Sequence, residues 1–200
     1  MFTEDLKAFI LKGREERNLE YKSSLDWADP YAKAKIAKGA MGMANIPDGG
    51  VIVIGVENDG TPKGMAARDF ASFDQNKVQE SVNDYADPYV ELTVTADHLD
   101  GYGDFVVIQV QQFVELPVVC KKTGAENLRR GAIYTRSRRK HETAEVGSQT
   151  EMREILERAV TRVVDRRIQW LRERGLLQAP APYEVTTEHR EQFEAELRGL

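Results

Sequence analysis

Two hundred residues, 41% hydrophobic and 30% charged, suffice for one well-buried core but not for two large ones, and a net charge of −5 excludes a protein that coats nucleic acid indiscriminately. The longest apolar runs, residues 51–54 and 106–108, fall far short of the roughly 18 to 20 residues needed to cross a bilayer. Glu4 and Asp5 stand where a secretory signal would be basic, so the expected location is the cytoplasm, and the single Cys120 excludes an internal disulfide. In chain order, Phe2, Leu6, Phe9 and Ile10 predict a short amphipathic helix that stops near Gly13. Alternation in residues 19–22 predicts a strand with Leu19 and Tyr21 facing a core and Glu20 and Lys22 on its other face. Asp29 and Pro30 cap and start a helix over residues 31–44, which Asn45, Pro47, Gly49 and Gly50 end. Residues 51–54 read as a strand buried on both faces, followed by a turn at Asp59 and Gly60.

A helix over residues 74–86 should stop before Pro88, with paired strands at 89–96 and 105–111 joined through a loop at 97–104. Residues 118–121 and 133–136 read as two further strands. Met152, Ile155, Leu156, Ala159, Val163, Ile168 and Leu171 mark a long amphipathic helix ending near Gly175. The expected fold is α+β: a mixed β-sheet with packed helices over residues 1–145, a C-terminal amphipathic helix over 148–177, and a Pro/Ala spacer with a weakly ordered charged tail over 178–200.

Charge is unevenly distributed. Between Lys121 and Lys140, Lys121, Lys122, Arg129, Arg130, Arg136, Arg138, Arg139 and Lys140 face one acid, Glu126, a local balance of +7. On a strand, Arg136 and Arg138 would present guanidinium groups side by side to phosphates, and Tyr134 on the same face could stack on a base. Arg162, Arg166 and Arg167 could extend that surface, and the helix that carries them could assemble subunits.

Glu15 and Glu20 are five residues apart. On a helix their carboxylates would diverge by about 140°, and on a strand they would point to opposite faces, some 16 Å apart. The chain must therefore turn between Asn18 and Leu19 if they are to converge. Glu20 and Lys22 share a strand face, an arrangement suited to holding a divalent metal and an attacking water, and Asp59 could add an oxygen ligand. The three histidines, His98, His141 and His189, have no zinc spacing, so any metal would be oxygen-bound magnesium or manganese.

Glu15, then Leu19-Glu20-Tyr21-Lys22, Ala44-Asn45 before Gly49-Gly50, Val53-Ile54-Gly55-Val56 with Asp59-Gly60 and Gly64, Leu116-Pro117-Val118 and Tyr134-Thr135-Arg136 together form a pattern that resembles the Schlafen-type Alba-like (AlbA_2) domain over about residues 14–145. The resemblance implies a domain that contacts nucleic acid, RNA or DNA with RNA favoured, and in some relatives a metal-dependent endoribonuclease acting on structured RNA such as transfer RNA through three acids. Two of those acids map onto Glu15 and Glu20, and Lys22 matches the lysine of the motif. The third falls on Asn58, between Glu57 and Asp59, so the catalytic and metal-binding set expected here is Glu15, Glu20 and Asp59, with Lys22 beside the scissile phosphate. Asn58 favours the rival reading of a binding module with a vestigial acidic site, and an oligomerising interaction protein is the third. No ATP site is expected, because Gly60 and Gly64 lack the lysine and hydroxyl of a phosphate-binding loop.

Overall fold

A computed structural model describes residues 1–138 and 141–177. Arg139, Lys140 and the expected spacer and tail at 178–200 lie outside the described residues. Helix α1 (Glu4–Leu11) is capped by the Thr3 hydroxyl, which accepts from the Leu6 amide. It is followed by β1 (Leu19–Lys22) and α2 (Pro30–Ala44), whose start is fixed as the sequence predicts, by Asp29 accepting from the Tyr31 amide at 2.9 Å and by Pro30 in the first turn. Strand β2 (Gly50–Ile54), helices α3 (Ala67–Phe70) and α4 (Gln75–Asn83), and strands β3 (Ala86–Asp87), β4 (Leu92–Leu99) and β5 (Gly103–Val110) come next. The chain continues through β6 (Val119–Cys120), β7 (Tyr134–Arg136) and β8 (Thr143–Glu145) to α5 (Gln149–Glu173).

The main sheet has the order β1-β2-β5-β4, with β1 and β2 parallel and the other pairs antiparallel. Period-two alternation assigns its two faces. Leu19, Tyr21, Val51, Val53, Phe105 and Val107 meet Leu6 and Ile10 of α1, and Phe2 just before it, on one side. Ile52, Ile54, Val106 and Ile108 meet Ile36, Ala40 and Met43 of α2 and Val78 and Val82 of α4 on the other. That double cover is why β2 reads as unbroken apolar residues. Two small antiparallel pairs, β3-β6 and β7-β8, complete the strands.

Strands β4 and β5 run further than the sequence predicts, so the expected 97–104 loop shrinks to a turn in which the Tyr102 amide donates to Leu99 O at 2.9 Å. Asp97, His98 and Asp104 look like loop residues, but His98 and Asp104 are cross-strand partners and their side chains meet at 2.8 Å. The outer edge at the start of β4 is closed by side chains. Gln75, Gln79 and Asn83 stand one helical turn apart on α4, where Gln75 Oε1 accepts from the Val94 amide at 2.6 Å and Asn83 Oδ1 from the Val90 amide at 2.7 Å. Gln79 donates to Val90 O at 2.6 Å, so this amide ladder occupies backbone groups that would otherwise recruit another strand.

Asn45, fully buried where α2 ends, ties three segments together. Its amide donates to Val118 O at 2.8 Å and Tyr134 O at 2.9 Å, and its carbonyl accepts from the Val118 amide at 2.8 Å. Asn45→Ala would orphan those groups in the core, with an expected loss of about 2–3 kcal/mol in a urea titration; a loss within about 0.5 kcal/mol, the usual spread of surface substitutions, would mean that water replaces the amide.

By its contacts the chain divides into two units, Met1–Arg162 and Val163–Leu200. In the first, Ile155 and Ala159 of α5 are buried in the main core. In the second, Arg174 and Arg167 stack on Trp170 at 4.0 and 5.6 Å, and the helix closes with Leu176 N donating to Leu171 O and Gly175 N to Arg172 O around the left-handed Gly175, a Schellman ending. Among the described residues no helix is long and apolar enough to cross a membrane.

Candidate nucleic-acid interface and the charge cluster at the first strand

The chain does turn between Glu15 and Glu20. Glu16 and Leu19 exchange backbone hydrogen bonds at 3.1 Å in both directions, which reverses the chain through Arg17 and Asn18 and lays Glu15 along the free edge of β1. There the Glu15 Oε1 accepts from the Tyr21 amide at 2.7 Å. Glu20 points to the α2 face of the sheet, where a Cβ on Gly39 would come within 3.0 Å of its Oε2. A side chain at position 39 would therefore press on the carboxylate, which accounts for a glycine inside this helix despite its low helix propensity.

Glu20 is only 8% exposed, and each of its oxygens already has a cation. Oε2 accepts from Arg136 Nη1 at 2.7 Å, and Oε1 pairs with Lys22 Nζ. Arg136 has no exposed surface at all. Its Nε donates to Arg17 O at 2.7 Å, and its Nη2 to Glu16 O, Leu19 O and His141 O. Burying a guanidinium is tolerated here because a carboxylate and four carbonyls replace its water. Arg17 returns the contact, since its Nε donates to Arg136 O at 2.8 Å while its Nη atoms fork onto Glu154 of α5 at 2.9 and 3.2 Å. Burial alone would raise the Glu154 carboxyl, but Arg17, with Arg138 beside it, holds it below its ordinary range.

The expectation that Arg136 and Tyr134 face phosphates and bases is corrected by this geometry. Strand β7 is covered on both faces, so side chains two residues apart point inward together. The Tyr134 hydroxyl accepts from the Arg129 amide at 2.9 Å and donates to Asn127 O at 3.1 Å, and its ring lies under Lys38 Nζ at 5.5 Å. Those contacts shape the turn before β7. Glu126 and Asn127 both sit at φ +57°, Leu128 N donates to Ala125 O at 3.1 Å, and Lys38 Nζ donates to Glu126 O at 3.0 Å. This is a type I′ turn with a glutamate in left-handed backbone. Glu126→Gly is expected to stabilise the protein by about 0.5–1 kcal/mol, read from its denaturation midpoint, because the relieved left-handed strain exceeds the added chain entropy. An unchanged or lowered midpoint would show that the turn is not strained.

The other cations of the segment are exposed. Arg130 is exposed, Arg138 is 74% exposed and touches Glu154 at 3.4 Å, and Arg129 pairs with Glu145 of β8, which raises its already high pKa. Lys121 is exposed, as is Lys122, which lies 3.2 Å from Asp84 and 4.4 Å from the Tyr85 ring.

The metal-binding set expected from the sequence is not assembled. Asp59 lies on an exposed turn and accepts from the Thr61 amide at 2.9 Å, which keeps its carboxyl below the ordinary range. Among the described residues no three histidine, cysteine, aspartate or glutamate side chains are grouped to hold a metal ion. Lys22 is engaged by Glu20. The donor set at β1 therefore does not fit magnesium or manganese. Sequence reasoning missed Arg17 and Glu154, and no local signal points to them: each contacts a partner more than a hundred residues away.

The fold is a four-stranded mixed sheet covered by helices on both faces, with Glu20 of the first strand tied to Arg136 of a late one. The family model for the Schlafen AlbA_2 domain matches residues 15–145, and the chain belongs to that family. Among solved structures, the DIP2311 protein from Corynebacterium diphtheriae is similar at a TM-score of 0.51 and 17% identity, over 72% of this chain. This chain spans 26% of the length of that one. The N-terminal domain of a protein described as related to the ATP-dependent DNA helicase RecG, from Nitrosomonas europaea, matches at 20% identity and a TM-score of 0.39, over 62% of this chain and 84% of its own. No match was found among curated proteins.

Proposed function

We propose that the protein is a nucleic-acid-binding module, with RNA as its ligand, that holds phosphates through exposed cations and performs no metal-dependent cleavage at Glu15, Glu20 and Asp59. Membership of the Schlafen AlbA_2 family supports a nucleic-acid-related role. One observation carries the rest. In residues 121–138 the side chains divide by function: Tyr134 and Arg136 are buried and anchor the segment, while Lys121, Lys122, Arg130 and Arg138 are exposed. A fixed backbone with solvated cationic tips suits contacts to phosphates, which fix orientation and contribute a salt-dependent share of affinity.

The test is a titration of labelled structured RNA, with single-stranded DNA alongside, in EDTA and in manganese. Binding that survives EDTA, weakens linearly with the logarithm of salt and leaves the RNA intact is expected. Cleavage that needs manganese and vanishes in Glu20→Ala would establish the nuclease reading instead, and no binding of either polymer at low salt would end the proposal.

A further inference from the structure

We infer that Arg136 is the resident counter-ion of Glu20, and that the cluster at the start of β1 is a metal-independent clamp that positions the segment bearing Arg138. Charge decides the first half. Glu20 carries −1, and Arg136 and Lys22 each carry +1 within hydrogen-bonding distance of its two oxygens, so these three groups sum to +1 and, with Glu15 counted, the cluster has no surplus negative charge to offer a dication. A divalent metal would have to enter beside two positive groups and share oxygens that are already engaged. Lys22, at 15% side-chain exposure, could swing out. Arg136 cannot, because leaving Glu20 would also strip donors from Glu16 O, Arg17 O, Leu19 O and His141 O at once. Glu15 adds little, since one of its oxygens already accepts from the Tyr21 amide and Asp59 is held on its own turn.

The second half follows from what the guanidinium joins. Four of its acceptors lie on the turn before β1 and on β1 itself, and the fifth, His141 O, follows the segment that carries Arg138. His141 is held a second time, its Nδ1 lying 3.2 Å from Glu15 O. Both ends of the stretch from Arg136 to His141 are thus pinned to the chain entering β1, by the Arg136 guanidinium and by the backbone carbonyls of Glu15, Glu16, Arg17 and Leu19. A lysine at position 136 could satisfy Glu20 but not the fork of backbone carbonyls, because its donors diverge from one atom. Arg136 and Glu20 are positioning residues, and this part of the inference rests on the nucleic-acid-binding reading.

The experiment compares the wild-type chain with Glu20→Gln, Glu15→Gln and Arg136→Lys, using manganese alone as the probe. Three readouts are taken: manganese uptake by calorimetry, Tm in EDTA and in manganese, and amide exchange. The clamp predicts no stoichiometric manganese uptake by the wild type and an identical Tm in the two buffers. It also predicts a lowered Tm for Glu20→Gln and Arg136→Lys, equally in both buffers. Amide exchange in the β7-β8 ladder should quicken at least about tenfold in those two variants, while the amides of Ile52 and Ile108 keep their protection. Uptake of one equivalent of manganese that Glu20→Gln abolishes, or a Tm raised by manganese, would overturn the inference. Should Glu20→Gln fail to fold, Glu15→Gln decides, since an amide oxygen can still accept from Tyr21: a metal site would lose its ion, and the clamp would be unaffected. None of these readouts uses nucleic acid, so a failure to bind RNA would count against the proposed function alone.

Discussion

Arg136→Met is expected to lower stability by about 3–5 kcal/mol, the largest effect of any single substitution proposed for this protein. Methionine fills much of the arginine's volume, so the loss is electrostatic. It strands the Glu20 carboxylate, 8% exposed, with Lys22 as its remaining partner, and it orphans backbone carbonyls of Glu16, Arg17, Leu19 and His141. At about 2–4 °C per kcal/mol for a chain of this size, Tm should fall by roughly 10 °C. Pairing the change with Glu20→Leu should recover only part of the loss, since the double variant removes the stranded charge but not the orphaned carbonyls. Urea unfolding of the three variants measures this. A loss below about 0.5 kcal/mol for Arg136→Met would place it among ordinary surface substitutions and contradict its complete burial.

The second large effect is on binding. Replacing Lys121, Lys122, Arg130 and Arg138 together by alanine is expected to reduce the salt slope for single-stranded RNA by about 3, at roughly 0.7 per lost phosphate contact. At about 0.1 M salt that corresponds to an affinity lower by about a hundredfold or more. The fold should barely notice, because all four side chains are exposed and the pairs Lys122–Asp84 and Arg138–Glu154 are of the surface kind, worth at most about 1 kcal/mol each. Arg129→Ala is the instructive companion. Its guanidinium is engaged by Glu145, so its contribution to the slope should be smaller than that of Arg130. A quadruple variant that folds normally and binds RNA with an unchanged salt slope would remove this surface from consideration.

The buried clamp and the exposed cations come from one stretch of sequence, which explains why the stretch misleads. Read alone, residues 121–140 are a run of positive charge, and on a solvated edge strand alternate residues would share a phosphate-facing side. Strand β7 is instead three residues long and buried throughout, with Asn45 holding Tyr134 O and Arg17 holding Arg136 O along the edge that faces away from β8. Charge in a sequence does not reveal burial when the compensating groups are distant, and Glu20 lies 116 residues from Arg136.

Much else is decided locally. The cap at Asp29 and Pro30, the apolar run of β2 and the alternation of β1 appear in the fold as their residues predict, because caps, periodicity and proline geometry act over a few residues, whereas of the apolar stripe of α5 only Ile155 and Ala159 are buried and Leu156 and Val163 are exposed. The order and spacing of short motifs likewise suffice for the Schlafen AlbA_2 assignment, since they are properties of the chain itself. Tertiary structure alone decides which charges meet water. The reversal at Arg17 and Asn18 brings Glu15 and Glu20 to one end of β1, and β7 then delivers an arginine to the carboxylate where the residue pattern points to a metal. That outcome depends on whether a low-dielectric site supplies a compensating guanidinium, a property of chain topology that no local pattern encodes.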